Sequence, residues 1–229
     1  MTDEPTLAAH RLADSFLPTG GDSLSYGLEQ FVADGQVGNA DDLRAFLRTA
    51  LRRQVGRCDA VVLGAAHGAT GAGNLDRVAA ADRRLTAATL APEFRESAET
   101  AGERLLDVAA GTIEDPRVEA YTERVDAGEA PGNHPVAFGL VAAVEEVSER
   151  DAVLAFAHAF VTGTLAAAQR LLRLGHTETQ ELLVDLRPDV SAAAEEAAGR
   201  TVEDLEPFAP LLSIASARHE RADRRLFVS

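Results

Sequence analysis

Apolar residues recur every three or four positions along almost the whole chain, and nowhere do they alternate with polar ones between turn residues. The first pattern puts the apolar side chains on one face of a helix. The second is what a half-buried strand would need, so the sequence predicts an all-α fold. Alanine, leucine, arginine and glutamate dominate, and all four enter a helix at little conformational cost. The clearest stretch begins near Asp41, where Leu43, Phe46, Leu47, Ala50, Leu51, Gln54 and Val55 keep helical spacing. It can continue past Gly56 through Cys58 and Val62 to Ala66.

Glycine and proline divide the remainder. A first helix is expected over Leu7 to Ser15, broken by Pro18, Gly20 and Gly21, and a second over Ser23 to Ala33, ended by Gly35. Gly27 falls inside that second helix, where it is costly relative to alanine and marks the close approach of another backbone. GATGAG, Gly68 to Gly73, reads as a loop, and Asn74 as the cap of the next helix. Pro92 suits the first turn of a helix running to Gly111. A short helix over Asp115 to Val125 leads to GEAPGNHP, Gly128 to Pro135, the strongest linker signal in the chain. Helices follow over Val136 to Val147 and Asp151 to Leu174, the latter capped by Ser148 with Asp151 and stopped by Gly175. Thr177 with Gln180 forms a second capping box, Pro188 opens another helix, and a last one covers Pro210 to Arg221. Neither side of the linker looks self-sufficient, so the expectation is one domain over residues 1–229, a bundle of about eight to ten helices.

With 229 residues, 46% of them apolar, the chain can bury a sizeable core, and wholesale disorder is excluded. Its formal charge is −15, and all 22 basic residues are arginine. Such a field repels phosphate backbones and anionic lipid, so neither nucleic acid nor a membrane is an expected partner. A lysine-free acidic surface suits a cytoplasm with molar salt, which screens its self-repulsion. A patch made for a basic partner is the competing reading. The start, MTDEPTLAAH, has no basic region followed by an apolar stretch, which fits a cytoplasmic protein. Ala152 to Gln169 carries no Asp, Glu or Arg, but His158, Thr162, Gly163, Thr164 and seven alanines make it a buried bundle helix rather than a span.

Few residues in the sequence suggest chemistry. No two of the histidines His10, His67, His134, His158, His176 and His219 lie three or four residues apart, so no helix face offers a pair of imidazoles to a metal. His158 reads as a core histidine with a hydrogen-bond partner. Cys58, the only cysteine, excludes disulfides and multi-cysteine metal sites and reads as a small buried hydrophobe. Asp41 and Asp42 serve a helix N-terminus. The glycine turns PTGGDS and GATGAG lack the lysine of a phosphate loop. No catalytic residue, cofactor or resident metal is expected.

Two segments stand apart. DSFLPTGGDSLSYGLEQFV, Asp14 to Val32, couples a tight Pro/Gly/Gly turn to an apolar helix. SIASARHERADRRLFVS, Ser213 to Ser229, sets four arginines against Glu220 and Asp223, a net charge of +2 on a chain that is otherwise −17. A basic tail with an apolar end on an acidic body reads as a docking segment. In these segments the sequence resembles the urease accessory protein UreF family. LPTGGDSLSYGLE is similar to that family's Pro-Gly-Gly turn followed by S-x-G-L-E, and SARHERADRRLFVS to its S-x-x-H-E-x-x-x-x-R-L-F-x-S ending. Between them, GNHPVAFGLVAA, LLRLGHTETQELL and, more loosely, RESAETAGERLL match further family segments in order.

The resemblance implies an all-α, non-catalytic scaffold. Relatives bind UreD (also called UreH), usually form homodimers, and recruit the GTPase UreG, which carries nickel to apo-urease. A GTPase-activating role toward UreG and a nickel-carrying metallochaperone role are the alternatives. The partner-binding residues carried over are Pro18, Gly20, Gly21, Asp22, Tyr26 and Glu29, with Arg218, His219, Glu220, Arg225, Leu226 and Phe227 in the tail. One position departs from the pattern: Asp22 stands where the family commonly has an aromatic, and Tyr26, a turn later, is the candidate substitute.

Overall fold

The computed structural model describes residues 3–19 and 27–206, and no strand occurs among them. The α-helices are α1 (Glu4–Leu12), α2 (Leu28–Ala33), α3 (Ala40–Ala50), α4 (Ala60–Gly71), α5 (Leu75–Ala88), α6 (Pro92–Thr112), α7 (Pro116–Asp126), α8 (His134–Val144), α9 (Glu149–Leu172), α10 (His176–Asp185) and α11 (Arg187–Ala197). A π-helical segment, Leu51–Asp59, joins α3 to α4 without a break, so residues 40–71 form one rod. A 3₁₀ turn, Val202–Asp204, closes the described chain.

The all-α expectation holds, and the core is built around α8. Its sequence, HPVAFGLVAAV, is apolar on every side, and every residue from Pro135 to Ala142 is buried. Such a helix belongs inside a bundle rather than on its surface. α4 and α6 make its most extensive contacts, with α9 also against it. Two glycines set these crossings. A Cβ at Gly139 would lie 2.4 Å from the Leu63 carbonyl oxygen on α4, and one at Gly102 would lie 1.8 Å from the Gly132 oxygen before α8. Helix α9 is long and apolar enough to cross a membrane by length and composition, but more than half of its apolar window is buried within the bundle.

Local capping follows the sequence closely. Asn39 Oδ1 accepts from the backbone N–H of Asp41 and Asp42, Asn74 caps α5, Asp115 caps α7, and Ser148 caps α9 through Asp151 N–H. Each satisfies a donor that a helix start leaves over. Pro92 occupies the first turn of α6.

Several expectations need correction. GATGAG is not a loop throughout: α4 runs on to Gly71, because Ala69 and Thr70 are buried and packing outweighs the weak helix propensity of glycine. GEAPGNHP does connect α7 to α8, but as a packed turn, with Ala130, Gly132 and Asn133 buried. Gly27 does not sit inside a helix: it precedes α2 with φ +79°, a left-handed conformation that glycine adopts without strain. Thr177 caps nothing, because α10 already starts at His176. His158 is exposed rather than a core residue. Part of the expected Ser23 helix, and all of the Pro210 to Arg221 helix, lie outside the described residues.

Candidate functional site

The turn after α1 is shaped by Asp14, whose Oδ1 accepts the Phe16 N–H at 2.8 Å. This side-chain turn leaves Phe16 93% exposed, keeps Pro18 at the surface and buries Thr19. α1 itself is seated by Ala8 and Leu12 and tied to the end of α8 by an Arg11–Glu145 ion pair of 2.6 Å.

Beside the turn lies a groove of about 500 Å³. Leu12, Leu17 and Pro18 line it from the α1 side, Ala101 and Arg104 from α6, and Phe156, Phe160 and Gly163 from α9, with His134 among them. Phe156 and Phe160 share a helix face by their spacing of four. The His134 ring lies 5.5 Å from Phe156 and 6.0 Å, edge-on, from Phe138, and the two phenylalanines meet edge-to-face at 5.4 Å. Burial among these rings lowers the His134 pKa to about 4, so its imidazole is neutral at pH 7. The lining combines an aromatic wall, a neutral imidazole and one guanidinium. It can receive an apolar side chain and pair a nearby carboxylate with Arg104.

What places His134 is a buried polar knot one residue upstream. Asp82 on α5, fully buried, accepts from the Tyr121 hydroxyl at 2.6 Å, Gly132 N–H at 2.7 Å, Asn133 N–H at 3.1 Å and Asn133 Nδ2 at 2.6 Å. Asn133 Nδ2 also donates to Thr86 Oγ1 at 2.8 Å. Burial and the Asp82 charge push the Tyr121 hydroxyl well above its ordinary pKa, so it stays protonated and remains a donor. The knot pins the α7–α8 connection, and with it the start of α8, against α5.

Of the sequence-predicted site residues, Pro18 lies exposed at the groove and Glu29 half-buried on α2. Gly20, Gly21, Asp22, Tyr26, Arg218, His219, Glu220, Arg225, Leu226 and Phe227 lie outside the described residues. Sequence reasoning missed His134, Arg104 and the aromatic wall; the only signal for them was the GNHP turn ahead of an apolar helix. Cys58 is buried as expected, and burial, reinforced by the Asp59 charge, pushes its thiol far above the range of a reactive cysteine. Among the described residues no group of three His, Cys, Asp or Glu side chains is placed to hold a metal ion.

The sequence model of the UreF family matches residues 37–187. The urease accessory protein UreF of Trichodesmium erythraeum is 36% identical over 97% of this chain and 96% of its own length. Urease accessory protein UreF 2 of Brucella canis is 33% identical over 96% of this chain and 90% of its own. The urease accessory protein UreF of Yersinia enterocolitica is 29% identical, with 95% coverage of each.

Proposed function

Because this chain belongs to the urease accessory protein UreF family, with a role in urease maturation, we propose that it is a non-catalytic cytoplasmic scaffold. It binds UreD/UreH and recruits the GTPase UreG for nickel insertion into apo-urease. The working unit is one helical domain over residues 1–229, acting as a homodimer. The near full-length match to accessory proteins carries this reading.

The proposed partner-docking surface comprises the turn from Pro18 through Gly20, Gly21 and Asp22, with Tyr26 and Glu29, and the C-terminal segment, which binds UreD. In that segment Leu226 and Phe227 act as apolar anchors, while Arg218 and Arg225, with His219 and Glu220, set orientation through charged hydrogen bonds. The exposure of Phe16 and Pro18 beside an aromatic groove supports this side of the bundle as the meeting place.

Co-expression of the full chain with its cognate UreD and UreG, followed by affinity capture in high salt, tests the proposal. A ternary complex is expected, lost on replacing Leu226 and Phe227 with aspartate while helix content is kept. Capture of neither partner by the intact chain would overturn it. Nucleotide hydrolysis by UreG, measured with and without the complex, decides the GTPase-activating alternative. Equilibrium dialysis with nickel decides the metallochaperone one.

A further inference from the structure

The central rod changes its winding at Leu51–Asp59, where the backbone closes i→i+5 hydrogen bonds; the last of these runs from Ala60 N–H to the Val55 oxygen. π turns are rare and concentrate where a helix does something besides span a distance. Gln54 Nε2 donates to Asp59 Oδ1 at 3.0 Å, five residues on. In an α-helix that spacing would leave the two side chains about 140° apart around the axis, so this clamp forms only in the wider turn. Gly56 faces α11 closely: a Cβ there would lie 3.2 Å from Ala193 Cα.

The same turn holds the end of the described chain. The Arg57 carbonyl oxygen accepts the Glu206 N–H at 3.3 Å. The Arg57 guanidinium reaches the Glu206 carboxylate at 3.0 Å and the Glu196 carboxylate at 3.2 Å. Arg200 closes the ring, at 2.7 Å from Glu196 and 3.8 Å from Glu206. Backbone and side chain of one residue, inside the π turn, therefore grip the point from which the C-terminal segment departs.

We propose that residues 51–59 and residues 202–206 form one coupled unit. Arg57 positions the root of the C-terminal segment, and that root in turn holds the rod in its π winding. The coupling is intramolecular and stands whether or not the segment beyond Glu206 meets a partner.

Hydrogen exchange by mass spectrometry on the full chain tests this. Glu206→Ala is expected to speed exchange across residues 51–59 by at least about fivefold, and Gln54→Ala to speed it across residues 202–206 by a matching factor, because coupling is reciprocal. Exchange in α6 and α8 stays at the parent rate in both. Arg57→Lys, whose single ammonium cannot bridge two carboxylates as a guanidinium fork does, gives a smaller rise in both segments. Cys58, the only thiol, reacts faster with a thiol reagent in Glu206→Ala than in the parent. Acceleration confined to the substituted segment in each variant would overturn the coupling, and so would one spread evenly through α8. Should Glu206→Ala fail to fold, Gln54→Ala decides alone.

Discussion

The Tyr121 hydroxyl donates to Asp82 Oδ2 at 2.6 Å, joining α7 to α5 across 39 positions of sequence. Two backbone N–H groups and the Asn133 amide converge on the same carboxylate. A buried carboxylate with four donors is stable because each lone-pair direction is answered; removing it strands the donors. Asp82→Ala is therefore expected to cost roughly 3–5 kcal/mol, and Asp82→Asn about 2–4, since its NH₂ faces other donors. Tyr121→Phe loses one bond and costs roughly 1.5–3 kcal/mol. Urea titrations of the three variants check the order; a Tyr121→Phe cost equal to that of Asp82→Ala would mean the backbone donors find other partners.

Three glycines are predicted to respond differently to the same added methyl. At Gly102 and Gly139 the new Cβ meets a carbonyl oxygen at 1.8 and 2.4 Å, so whole helices must part. Each Gly→Ala there is expected to cost about 2–4 kcal/mol. At Gly68, helical and exposed, nothing lies within 4 Å of the added carbon. Gly68→Ala should therefore raise stability by about 0.5–1 kcal/mol, through helix propensity and a less flexible unfolded chain. Thermal melts of the three single variants give the comparison directly.

Two partly buried groups give the fold opposite dependences on pH. Burial raises the Asp59 carboxyl from 3.8 to about 7, against the weaker pull of its Gln54 hydrogen bond. Between those values the folded chain keeps a proton that the unfolded chain has lost, so stability falls as pH rises through the window. Burial lowers His134 from 6.5 to about 4. There the unfolded chain binds the extra proton, so stability falls as pH drops from 6.5 toward 4. Asp59→Asn removes the first slope and stabilises above pH 7 by roughly 1–3 kcal/mol. His134→Gln removes the second. Denaturation curves from about pH 4 to 8 separate them, and a parallel pH profile for both variants would contradict the assignment.

How much of this was visible beforehand follows from the range of each interaction. The helix class and the caps at Asn74 and Ser148 depend on neighbours within a turn or two, so local pattern carries them. The extension of α4 through Gly71 was hidden because Ala69 and Thr70 are held by tertiary burial, which propensity does not register. The exposure of His158 was misread because an apolar run does not reveal which of its sides meets solvent. Asp82 was invisible for a different reason: its partners lie 39 to 51 positions away and nothing in DRVAAADRR distinguishes it from a surface acid. The π turn is marked by the Gln54–Asp59 bond, a pair five apart that the three- and four-residue periodicity of the sequence does not single out. Of the candidate groove, Pro18 stands out in the sequence beside a glycine pair, while His134, Phe156 and Arg104 converge only through the crossings of α6, α8 and α9.

Asp189, 5% exposed at the start of α11, receives Arg48 Nε at 2.9 Å and Arg52 at 3.2 Å from the rod. The arginines are 47% and 66% exposed, so each is well solvated when its partner is lost; the aspartate is not. Loss of one arginine leaves the carboxylate still paired, and Arg48→Ala or Arg52→Ala alone should cost about 1 kcal/mol or less. The double variant strands a buried charge and should cost about 2–4 kcal/mol, clearly more than the sum of the single changes. Asp189→Asn frees two exposed cations and weakens the joint between rod and α11, with a cost of roughly 1.5–3 kcal/mol. A double-mutant cycle in about 0.2 M and about 2 M KCl measures both points: the coupling should persist in high salt, because the carboxylate is shielded from counterions. Additive single changes would instead mark Asp189 as an ordinary surface pair.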